Sequence, residues 1–98
     1  MKISISSVKF KADKRLEDFI QDKIGKLATN YDNLISGEVT LRLDNSANQE
    51  NKIAEIRLNI PGNDLFAKKQ CKTFEEATDS ALDALRKQLS KHKEKIHP

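Results

Sequence analysis

Apolar residues recur along this chain at two periods, and the changes of period divide it into elements. Near the start, Ile3 and Ile5 alternate with Lys2, Ser4 and Ser6, which predicts a short, half-buried strand within Met1–Phe10. Asp13 then offers an N-cap, and Leu16, Phe19, Ile20, Ile24 and Leu27 follow at helical spacing, predicting an amphipathic helix to about Leu27 or Ala28. Gly25 weakens that helix or admits a close neighbour. Thr29 to Gly37 is rich in turn formers and reads as a connection. Alternation resumes in GEVTLRLD, with Val39, Leu41 and Leu43 inward. After the polar loop NSANQEN it resumes again in KIAEIRLNI, with Ala54, Ile56, Leu58 and Ile60 inward. Pro61-Gly62-Asn63-Asp64 signals a hairpin into LFAKKQCK, where Lys69 interrupts the face of Leu65, Ala67 and Cys71 and suggests an edge strand. From Thr73 to Ile96 the period becomes helical once more. Thr73 and Glu76 form a capping-box pattern, and Phe74, Ala77, Ala81, Leu82, Leu85, Leu89 and Ile96 make one stripe.

The order β-α-β-β-β-α follows. Three consecutive strands with short connections form an antiparallel meander, and their alternation leaves one sheet face wet. Each helix has a single apolar stripe, so both should cover the other face. The expectation is an α/β two-layer sandwich, a four-stranded sheet with two helices on one face. The helices should then lie side by side.

Charge changes this picture at the last helix. Glu75, Glu76, Asp79 and Asp83 fill its first half; Arg86, Lys87, Lys91, Lys93 and Lys95 fill its second, against Glu94 alone. Lys87, Lys91 and Lys95, at i, i+4 and i+8, make one ridge, while Arg86 and Lys93 border the apolar stripe. A gradient of this kind also complements the helix macrodipole and occurs in helices with no binding role. In the first helix Lys23 falls inside the apolar stripe and must carry its ammonium to the edge of the core, with Lys26 at the flank. Both are either helix-end cations near carbonyls or cations aimed at a partner. Side-by-side helices would join Lys23 and Lys26 to the basic half of the last helix in one patch.

Ninety-eight residues make one domain, read here as 1–98 with a basic tail from about residue 92. Charged residues are 34% of the chain against about a quarter in an average protein, so the core is lean and the surface highly charged. The net charge is only +3; its placement after Asp83 matters more than its size. Cys71 is alone, which excludes an internal disulfide and fits a reducing compartment, and no 18-residue apolar run is present, so a cytoplasmic location is expected. No catalytic constellation is evident. His92 and His97 sit at the C-terminal end, the three glycines are scattered, and one cysteine with two dispersed histidines makes no zinc site. The expectation is a protein that is not an enzyme and uses no cofactor, metal or small-molecule substrate. Phe19 and Phe74 read as core, so the basic patch lacks aromatics for stacking single strands. Phosphates of folded nucleic acid suit it better, with an acidic protein surface as the other possibility.

KQLSKHKEK at 87–95, DKIGKL at 22–27, EIRLNIPG at 55–62 and the A-x-D at 77–79 together resemble the ribosome hibernation promoting factor and protein Y family, whose names include ribosome-associated inhibitor and sigma-54 modulation protein. The resemblance runs from about Lys2 to Ile96, and the chain is similar to the short form. It departs at Ala84, where the family commonly has lysine, at Glu75, where an aromatic is usual, and at Thr78, where isoleucine is common. The resemblance implies a fold like a double-stranded-RNA-binding domain with an added first strand. It implies binding to the small ribosomal subunit and its rRNA at the decoding region, and silencing of idle ribosomes. Lys23, Lys26, Lys87, Lys91 and Lys93 fall on basic positions of that family, and Arg86 and Lys95 extend the patch. A protein-binding regulator, such as a sigma-factor modulator, and a general duplex-RNA-binding module are the alternatives.

Overall fold

The computed structural model describes residues 1–45 and 49–96, with side chains described as far as residue 91. Six elements follow in the expected order: β1 (Lys2–Ser7), α1 (Lys14–Asn30), β2 (Ser36–Leu43), β3 (Lys52–Ile60), β4 (Asn63–Cys71) and α2 (Phe74–Ile96). The sheet order is β1-β2-β3-β4, with β1 parallel to β2 and the other two pairs antiparallel. β4 is an edge strand, as Lys69 suggests, and β1 is the other edge. Because β1 and β2 are parallel, their connection must cross over, and α1 is that crossover.

Local chemistry explains the boundaries. Asp13 caps α1, its carboxylate accepting from the Leu16 amide at 2.8 Å. Thr73 caps α2 in the same way, accepting from the Glu76 amide at 3.0 Å. α1 runs past Ala28 to Asn30, further than the apolar spacing indicates, because the Thr29 hydroxyl donates to the Lys26 carbonyl and the Tyr31 amide to that of Ala28. Between β3 and β4 the turn is only Pro61 and Gly62, the latter at φ +77°, a pairing that suits a type II turn; Asn63 and Asp64 already belong to β4. Lys9 also has positive φ, 65°. The loop around it is held by the Ser7 hydroxyl on the Phe10 carbonyl and by Phe10 stacked on Phe74 at 5.0 Å between centroids.

Both helices lie on one face of the sheet. α2 covers β3 and β4, and α1 runs beside it. Ile20, Ile24, Leu41, Ile56, Leu58, Leu82 and Leu85 are fully buried between the layers. Gly37 lies inside β2 rather than in the connection before it. A Cβ there would meet Leu58 at 3.3 Å and Ile24 at 3.8 Å, so the glycine leaves room for the Ile24 side chain of α1 to pack onto the sheet. No described atom comes within 4 Å of a Cβ built on Gly25, so that glycine serves no close approach.

Three placements need correction. Leu43 is 42% exposed, because β2 continues two residues past Leu41, where its pairing with β1 ends. Phe19 is only half-buried, on the flank of α1. Leu34, placed in a connection, is buried in the core. The loop expected over 45–51 has its centre, 46–48, outside the described residues.

Two stability outcomes follow. Leu85→Ala should cost roughly 2–5 kcal/mol in chemical denaturation, as deletion of a fully buried leucine does; a loss under about half a kcal/mol would displace α2 from the core. Thr78 is the opposite case. It is fully buried, and its hydroxyl meets no described hydrogen-bond partner. Thr78→Val keeps the shape and removes the unmet group, so it should stabilise by about 1 kcal/mol and raise the melting temperature by several degrees. A lower melting temperature would show that the hydroxyl is satisfied.

Candidate nucleic-acid interface

Topology decides which helix ends meet. β1, β2 and β4 run in one direction, and each helix reverses out of β1 or β4, so α1 and α2 are parallel to each other. Two contacts mark their alignment. Lys23 Nζ lies 3.6 Å from a carboxylate oxygen of Asp79, and the hydroxyls of Tyr31 and Ser90 lie 3.3 Å apart. Asp79, Arg86 and Ser90, at i, i+7 and i+11, therefore form the side of α2 that faces α1. Gln88 points the other way and donates to the Phe66 carbonyl on β4 at 3.0 Å. Lys87 and Lys91 lie between these two sides, exposed on the outer surface of the helical layer.

The candidate cations thus share one face of the molecule in two groups. Lys23 and Arg86 lie along the groove between the helices, with Lys26 exposed on α1 beside it; Lys87 and Lys91 stand on the outer ridge of α2. Lys93 and Lys95 follow on the same helix, but their side chains, and those of His92 and His97, lie outside the described ones.

Lys23 sits differently from the expected site. The spacing places it in the apolar stripe and joins it to the basic half of α2; in the structure it is level with the acidic half. Its side chain is 35% exposed, its ammonium leaves the core at the groove and rests 5.4 Å from the centre of the Phe19 ring as well as beside Asp79. Lys26 pairs with Asp22 at 3.2 Å, and Arg86 with Asp83 at 2.8 Å. The last two pairs are legible as i, i+4 and i, i+3 spacings within a helix. The Lys23–Asp79 pair is not, because it exists only once the helices are docked. No carboxylate pairs with Lys87 or Lys91 among the described residues.

The opposite, open face of the sheet carries cations of another kind. Glu55 lies 3.0 Å from Arg42 and 4.0 Å from Lys68, while Arg57 lies 3.7 Å from Asp64 and over the Phe66 ring. These alternate in sign across neighbouring strands and make a cross-linked surface rather than a cationic one. Nucleophilic chemistry finds no support at Cys71. Burial pushes its thiol pKa up, with Glu76 and Glu50 adding to the effect and Lys69 opposing it, so the thiolate is disfavoured. Among the described residues no three potential ligands gather to hold a metal ion, and no helix is long and apolar enough to cross a membrane.

Comparison with known proteins gives one consistent result. A curated ribosome hibernation promoting factor of Pseudomonas putida is 26% identical over 95 residues, covering 97% of this chain and 89% of that protein. One from Azotobacter vinelandii is 30% identical over 95 residues, covering 97% of this chain and 85% of its own. The solved structure of a ribosomal subunit interface protein from Coxiella burnetii matches with a TM-score of 0.83 over 95% of this chain and 98% of its own, at 19% identity, which is a likeness of fold. The profile described as sigma 54 modulation protein / S30EA ribosomal protein matches residues 3–97, and this chain belongs to that family.

Proposed function

We propose that this chain is a ribosome-associated hibernation factor, a single ribosome-binding domain across residues 1–98. It binds the small ribosomal subunit through rRNA near the decoding region and keeps idle ribosomes inactive in the cytoplasm. One observation carries the reading: the parallel helices bring Lys23, Lys26, Arg86, Lys87 and Lys91 to the outer face of a single layer, with Lys87 and Lys91 unpaired among the described residues. Lys93 and Lys95 extend this site on the last turns of α2. Exposed cations on a rigid face suit phosphates fixed in a folded RNA, and the few aromatics suit recognition by shape and charge. The hibernation role comes from the family and the names of its members.

Sedimentation on a sucrose gradient tests the partner. Lysate from growth-arrested cells should carry the protein in small-subunit or whole-ribosome fractions. Its stable presence with RNA polymerase, and absence from ribosomal fractions, would replace this reading with that of a sigma-factor modulator.

The patch is tested by salt. Each phosphate contact releases counterions, so the double variant Lys87→Ala/Lys91→Ala should weaken binding to the small subunit and flatten the slope of log K against log salt by roughly 1.5–2. Its melting temperature should stay nearly unchanged, since both lysines are exposed. An unchanged slope would remove α2's outer ridge from the site. Lys23→Ala loses an ion pair with Asp79 and a ring contact with Phe19, so a stability cost of up to about 1 kcal/mol is expected alongside weaker binding. A folded variant with full affinity at moderate salt would show that Lys23 serves only the docking of the helices.

A further inference from the structure

The cationic face carries its own opposition. Of its five described cations, three have a carboxylate within pairing distance: Lys23 with Asp79 at 3.6 Å, Lys26 with Asp22 at 3.2 Å and Arg86 with Asp83 at 2.8 Å. The aspartate side chains are themselves 53%, 63% and 69% exposed, so their charge faces whatever approaches. Pairs this open contribute little to folding. Their larger consequence is for binding. A phosphate that takes one of these cations must either share it with its carboxylate or displace that carboxylate, and in both cases it stands beside a negative group. At Lys87 and Lys91 it meets no such group among the described residues.

We infer that Asp22, Asp79 and Asp83 are selectivity residues: counter-charges built into the cationic face that hold down its affinity for arbitrary RNA. The inference rests on the reading of that face as an rRNA-binding surface. Any duplex can lay phosphates against the ridge of Lys87 and Lys91. The cations in and beside the interhelical groove favour an RNA whose shape offers phosphates to them and hydrogen-bond donors to the neighbouring carboxylates. The 2′-hydroxyls and the exocyclic amines of unpaired bases are such donors. Discrimination then comes from what the aspartates penalise as well as from what the lysines attract.

The test compares two probes, purified small ribosomal subunits and a duplex RNA of arbitrary sequence, across a salt series. The triple variant Asp22→Asn/Asp79→Asn/Asp83→Asn frees three cations, so its salt slope on the arbitrary duplex should steepen by about 2–3 and its affinity there rise about tenfold at low salt. Affinity for the small subunit should rise less, so the ratio between the two probes falls. Asp79→Glu, which keeps the charge, should retain the wild-type ratio. Glu38→Gln is the control for net charge: it is exposed on the open sheet face, between the buried Gly37 and Val39 of β2, and should leave both affinities near wild type. If the folded triple variant kept the wild-type slope and ratio while the wild type bound small subunits, or if Glu38→Gln matched the effect per charge, the inference would be overturned and the proposed function would stand. A wild type that fails to bind small subunits overturns the proposed function itself, and this inference with it.

Discussion

Burial of one apolar stripe on α2 against the sheet sets the rest of the molecule. Ala77, Ala81, Leu82 and Leu85 are wholly removed from water and Leu89 nearly so, and the helix lies over β3 and β4. The buried leucines each contribute on the order of 1.5–3 kcal/mol of transfer free energy and the alanines less, so the stripe as a whole outweighs any surface pair on the molecule. With the stripe held down, rotation of the helix about its axis is no longer free. At ~100° per residue, Lys87 and Lys91 must point outward, Asp79 and Arg86 toward α1, and Gln88 toward the β4 edge. The outward ridge of Lys87 and Lys91 is thus a by-product of core packing.

Chain direction is the second constraint. A helix that reverses out of β1 and another that reverses out of β4 must be parallel, because β1 and β4 run the same way. Parallel helices place their C-terminal ends, with their partial negative charge, at the same end of the layer. Basic residues fill the second half of α2, where they complement that charge, while the last turn of α1 holds none. On α2 the same basic residues would serve either the helix end or an anionic partner, so a charge gradient along one helix does not tell the two apart.

Where residues break local rules, the cause lies in three dimensions. Lys23 occupies an apolar position because the groove between the helices gives its ammonium an exit, a carboxylate and the Phe19 ring. Thr78 has no comparable compensation among the described atoms and stands as a local cost within the core. Lys9, in the left-handed region, is held by a loop whose Phe10 stacks on Phe74, so the start of α2 fastens the entry to α1.

The sequence by itself determined the element order, the inner face of each strand except at Leu43, the caps at Asp13 and Thr73, and the apolar stripes of both helices apart from half-buried Phe19; Ile96, read into the second stripe, has its side chain outside the described ones. Each depends on neighbours within a few residues: a period of two or 3.6, or a hydroxyl or carboxylate three residues from an amide. The basic segments around residues 22–27 and 87–95 were legible for the same reason, as was the resemblance they carry. Only the tertiary structure decided what those cations face. That Lys23 meets the acidic half of α2, that Phe19 remains half-exposed to rest beneath it, and that Lys87 and Lys91 stand apart from the groove all follow from the axial offset and rotation of two parallel helices. Those quantities are set by how the side chains of both helices pack on one sheet, and no periodicity within either helix encodes them.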